Sequence, residues 1–159
     1  MKRNSFLTAA IILILALLVI KAPSARAQTD TPTKAALAFF QSLGYMNYKK
    51  SYSLLASEAK RNLLSELRSY YLTKGENHTT DELEYMIELN QGEYRTMLFD
   101  TLFSRLTMKM GVKASSFQNA SVSLIKGGSE TAKIRLEVSG KKASYNMVKE
   151  NGQWKVICY

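Results

Sequence analysis

The hydrophobic period of the chain changes at Gly111, and that change dictates the fold class. After it, Ala132, Ile134, Leu136 and Val138 alternate with Thr131, Lys133, Arg135 and Glu137. One face of such a segment is apolar and the other wet, which is the signature of a half-buried strand. Ala120, Val122 and Leu124 alternate in the same way with Asn119, Ser121 and Ser123. Gly127-Gly128, Ser139-Gly140 and Asn151-Gly152 punctuate the region, the last being a strong hairpin turn because both residues tolerate positive φ. Strands are predicted at about 112–125, 130–139, 142–149 and 153–159, with short connections making neighbours antiparallel.

Before Gly111 the spacing is helical. Thr31-Pro32 opens a helix whose apolar face is Ala36, Leu37, Phe40 and Leu43, and Gly44 can end it in the left-handed conformation. Asn47 caps a second helix carrying Tyr48, Tyr52 and Leu55. A third starts at Ser57 and shows Leu63, Leu64, Leu67, Tyr70 and Tyr71 on one face. Thr79-x-x-Glu82 is a capping box for a fourth, with Leu83, Met86 and Ile87 as its stripe. The helix predicted over 93–110 is the most apolar: Tyr94, Met97, Leu98, Phe99, Leu102, Phe103, Leu106 and Met110. That face is too wide for one partner, so the helix is buried on two sides or lines a cavity. The expected fold is α+β, with N-terminal helices packed on a curved C-terminal antiparallel sheet of about four strands.

Residues 1–27 read as a secretory signal. Lys2 and Arg3 precede an apolar run over 6–20 that only Thr8 interrupts, and Ala25-Arg26-Ala27 supplies a cleavage site. A spanning helix needs about 20 apolar residues, so the run favours cleavage over retention as an anchor. The expected organisation is a signal peptide at 1–27, a polar lead at 28–31 and one domain at 32–159, exported to a periplasm or beyond. The signal holds four of the 22 Lys and Arg and none of the 13 Asp and Glu, so the net charge falls from +9 to +5 on cleavage. The only cysteine, Cys158, excludes an internal disulfide. It reads as a small buried hydrophobe, with pairing to another chain as the alternative.

Ala35-Ala36-Leu37-Ala38-Phe39-Phe40-Gln41-Ser42-Leu43 and then Asn47-Tyr48-Lys49-Lys50-Ser51-Tyr52-Ser53-Leu54-Leu55 resemble the opening helices of nuclear transport factor 2-like domains. Tyr145 to Val156, with Gly152-Gln153-Trp154-Lys155-Val156, resembles their last hairpin. The resemblance covers both ends of the domain and implies a cone-shaped α+β fold, often with a pocket inside. Residues 57–110 depart from it as an enlarged helical section, and no acid/base pair of that family's enzymes maps onto this chain. The architecture is also similar to that of periplasmic phospholipid carriers.

Most catalytic chemistries lack parts. His78 is the only histidine, in a polar loop, with no second residue for a metal site or a nucleophile–base pair. Asp81, Glu82, Glu84 and Glu88 share one short helix, where early acidic residues complement the helix dipole. Gly127-Gly128 leads into a strand and is a turn, not a phosphate loop. Lys133, Arg135, Lys141 and Lys142 make a basic sheet surface without interleaved aromatics, so nucleic acid is not an expected partner. No metal or other cofactor is called for.

The leading expectation is therefore a non-enzymatic exported binding module. Tyr94, Phe99, Phe103, Tyr145 and Trp154 are the candidate lining of a site for a small hydrophobic molecule between helix 93–110 and the sheet; the alternative is that they fill the core. A second possibility is an envelope scaffold that binds a protein partner or dimerises through the sheet face of Thr131, Lys133, Arg135 and Glu137. A third is an acid/base enzyme using Asp100, set among Leu98, Phe99, Leu102 and Phe103.

Overall fold

The structure is a computed structural model and describes residues 31–89 and 106–158. Four helices come first: α1 Pro32–Gly44, α2 Tyr48–Ser53, α3 Ser57–Thr73 and α4 Thr80–Leu89. Residues 106–110 are helical, and a 3-10 helix follows at Ala114–Asn119. Four strands complete the domain: β1 Ser121–Gly127, β2 Thr131–Val138, β3 Lys141–Glu150 and β4 Gln153–Ile157. They form an antiparallel meander in the order β1-β2-β3-β4, an open sheet not closed into a barrel. The fold is α+β, as the change of period predicts. Among the described residues no helix is long and apolar enough to cross a membrane.

The helix starts follow their predicted chemistry. The Thr31 side chain accepts from the Lys34 amide, and Asn47 Oδ1 accepts from the Lys50 amide at 3.1 Å. In the capping box, the Thr79 amide donates to Glu82 at 2.8 Å and the Glu82 amide donates back to Thr79 Oγ1 at 3.3 Å. Helix α3 has no side-chain cap of its own. Glu150, at the end of β3, reaches across to accept from the Ser57 amide at 3.0 Å and its hydroxyl at 2.8 Å. The charged oxygens lie at the helix N-terminus, where the dipole favours them.

One core joins the helices to the inner sheet face. It includes Phe39, Phe40 and Leu43 of α1, Leu63 and Leu67 of α3, Leu83 and Ile87 of α4, and Ile134, Leu136 and Val156 of the sheet. Leu106 and Met110 are also buried there. Beyond α2, Leu55 forms a parallel bridge with Val156; the Ala56 amide donates to the Val156 carbonyl, and the Val156 amide to the Leu54 carbonyl. This covers the outer edge of β4.

Three expectations need correction. The first strand does not begin at 112. Ala114, Phe117 and Ala120 recur every third residue, the repeat of a 3-10 helix, and Phe117 is fully buried. Gly44 does not take the left-handed conformation; Met46 does, at φ 56°. Gly44 is required for another reason: a Cβ there would lie 2.5 Å from the Gln118 backbone nitrogen. Gln118 Nε2 donates to the Gly44 carbonyl at 2.9 Å, which locks this close approach of α1 and the 3-10 helix. Finally, Tyr70 is 43 % exposed, on the flank of the α3 stripe, with Lys74 over its ring. The hairpin at Asn151-Gly152 is as expected, with φ 51° and 77°.

Candidate functional site

The alternation of β3 turns Tyr145 and Met147 inward, beneath α1. Tyr145 pairs with Ile134 on β2, and the β3–β4 register, with Asn146 opposite Ile157, continues to Cys158 on its other side. Its ring lies 5.0 Å from that of Phe40, which in turn stacks on Phe117 at 6.0 Å. Tyr145 is only 6 % exposed, yet among the described residues its hydroxyl has no hydrogen-bond partner. Buried polar groups are nearly always paired, so an orphan hydroxyl is a specific feature.

Burial pushes the Tyr145 phenol up to about 12, with the neighbouring Cys158 thiol adding to the effect. Burial likewise pushes Cys158 up to about 12. Near neutrality both groups are protonated and uncharged. A phenol in that state donates and accepts hydrogen bonds but is no base, and a thiol is a poor nucleophile.

The predicted lining residues are not all brought together. Trp154 is buried and faces the same side of the sheet as Tyr145, but it pairs with Lys149, four residues along β3. That is a separation of about 13 Å along the strand. The Met147–Val156 pair lies between them. Trp154 therefore packs at the other end of the inner face. Tyr94, Phe99 and Phe103 lie outside the described residues, as does Asp100. Phe40, Phe117 and Cys158 stand around Tyr145 without having been predicted there. The helical stripe and its buried phase pointed to Phe40, but only strand register places Cys158 beside Tyr145.

The acidic helix is used structurally. Tyr52 donates to Glu84 at 2.6 Å, and burial together with this bond raises the phenol's pKa. Glu88 pairs with Lys49 at 2.7 Å. His78 Nε2 lies 3.0 Å from Glu76, and its ring meets Tyr71 edge-on at 4.5 Å. Among the described residues no cluster of three or more His, Cys, Asp or Glu could hold a metal.

Surface clefts formed by described residues include two that Tyr145 does not line. One, of ≈ 600 Å³, lies along α1 and the start of α2 between Lys34, Leu37, Gln41, Tyr45, Asn47 and Lys50. The other, of ≈ 460 Å³, includes Lys126, Thr131, Lys133, Asn146, Met147 and Ile157 at the β1–β2 turn. Lys126 escaped the sequence reading of the basic sheet surface because only the register puts it opposite Lys133. In comparisons with known proteins, no family model, curated protein or solved structure matches this chain.

Proposed function

We propose that the chain is an exported, non-enzymatic binding module that holds a small apolar molecule with one polar group between the segment the sequence predicts as a helix over 93–110 and the inner face of the sheet. The observation that carries this reading is the Tyr145 hydroxyl, buried beside Phe40 and unpartnered among the described residues. A ligand that brings one acceptor or donor would complete it, while Phe40 and its neighbours supply apolar contact. The neutral state of Tyr145 and Cys158 favours binding over acid/base chemistry. The likeness of the chain's two ends to nuclear transport factor 2-like domains adds the expectation of a cone with an internal site.

Thermal unfolding of the protein with 1-decanol, decanoate and 1-naphthol tests the proposal. A probe at 100 times its Kd stabilises by about 2.7 kcal/mol. At least one probe is expected to do so, with the gain lost or much reduced in Tyr145→Phe. Absence of stabilisation by all three, or an equal gain in both proteins, would overturn the reading.

Self-association through the outer sheet face is the less favoured alternative. Lys126, Lys133 and Arg135 lie there without carboxylate partners among the described residues, and a copy of the same surface would repel it.

A further inference from the structure

The core satisfies its hydroxyl groups from within, with one exception. Ser42 and Ser51 are buried, and their hydroxyls lie 2.8 Å apart. Ser42 also reaches the Phe39 carbonyl at 2.7 Å, and Ser51 the Asn47 carbonyl at 3.0 Å. Tyr52 donates to Glu84. Among the described residues Tyr145 alone keeps a buried side-chain oxygen with no partner. The O–H is the half of a phenol that matters most. Its lone pair is drawn into the ring, so a phenol donates strongly and accepts weakly, and an unmade bond of a buried donor is expensive. What Tyr145 lacks is an acceptor.

The surroundings decide the charge of that acceptor. Around Tyr145 stand the ring of Phe40, Ile134 on β2, Met147 two residues along β3, and Cys158 beyond β4. Among the described residues no Lys, Arg, His, Asp or Glu is buried. A carboxylate or phosphate drawn in to meet the Tyr145 hydroxyl would lose its water and gain one hydrogen bond, with no counter-charge. That exchange is strongly unfavourable. A neutral carbonyl oxygen accepts the same bond and costs far less to desolvate. Tyr145 and Cys158, the titratable groups at this place among the described residues, stay uncharged at and below neutrality, so the site itself does not change with pH there.

We propose that the group recognised at Tyr145 is an uncharged carbonyl oxygen, that of a ketone, ester or amide on an apolar body, and that carboxylates are refused unless protonated. The inference rests on the binding reading above. Calorimetric titration of the protein with 2-decanone, 1-decanol and decanoate tests it, at about pH 7.3 and about pH 5.3, which lie about three units and one unit above the pKa of a carboxylic acid. At the higher pH about one decanoate molecule in 1,000 is neutral, so decanoate should bind about 1,000-fold more weakly than 2-decanone. At the lower pH decanoate should bind about 100-fold more tightly than before, while 2-decanone stays within about twofold. Tyr145→Phe, which keeps the ring, should weaken 2-decanone about tenfold. Decanoate that matches 2-decanone at the higher pH, or binds equally at both, would overturn the assignment and leave the binding reading standing, with a cation in reach of Tyr145. Binding of 1-decanol without 2-decanone would also overturn it, because the Tyr145 oxygen would then be the acceptor. Binding of none of the three, or equal binding of 2-decanone by wild type and Tyr145→Phe, would overturn the binding reading itself and this inference with it.

Discussion

Removing the Tyr145 hydroxyl should make the unliganded protein more stable. Tyr145 sits 5.0 Å from the Phe40 ring at 6 % exposure, so Tyr145→Phe keeps the ring contact and deletes only the oxygen. A hydroxyl taken out of water without a partner costs about 1–3 kcal/mol. The substitution should therefore raise unfolding free energy by about 1–2 kcal/mol, or Tm by roughly 3–8 °C for a domain of this size. Urea unfolding provides the assay. Trp154, the only tryptophan, is 5 % exposed in the native state and reports the transition by its fluorescence. An unchanged m-value would confine the effect to stability. A loss of about 1 kcal/mol or more would refute the reasoning, because it would mean that the hydroxyl is paired in solution.

Gly44→Ala should destabilise by about 3 kcal/mol, because its Cβ would lie 2.5 Å from backbone nitrogen that cannot rotate away; chemical denaturation measures it, and a neutral result would mean that α1 and the 3-10 helix are less tightly joined. Glu150→Ala removes the cap supplied to α3 and should cost about 1 kcal/mol in the same assay, with a smaller cost for Glu150→Gln. Cys158, raised by burial from 9.0 to about 12, should react with a disulfide reagent at pH 8 roughly 1,000-fold more slowly in the native protein than in urea. Rapid native labelling would show an accessible thiolate and restore the case for pairing between chains.

The fold was legible where local chemistry repeats a period. The alternation over 131–138, the capping box at Thr79 and Glu82, and the Asn151-Gly152 turn each state one solution, and each is present. Gly44 misled because its local role as a helix stop is common, whereas its actual role is set by Gln118, far along the chain. Residues 112–120 mislead because a repeat of three lies between the periods of strand and helix and runs on into the alternation of the strand that follows. The site was only half legible. Inward alternation marks Tyr145 and Trp154 alike, but the distance between them, and the meeting of Tyr145 with Cys158 and of Lys126 with Lys133, are properties of register. Register is a relation between strands and has no signature in either strand alone.

The central claim is that the Tyr145 hydroxyl recognises a ligand, and carbon-13 NMR of the tyrosine ring carbon bonded to oxygen tests it most directly. The Tyr145→Phe spectrum assigns the signal among the nine tyrosines. On titration with whichever of 1-decanol, decanoate or 1-naphthol stabilises the protein most, the Tyr145 signal should move and saturate together with the thermal shift. A Tyr145 signal that stays fixed while the probe binds would contradict the account.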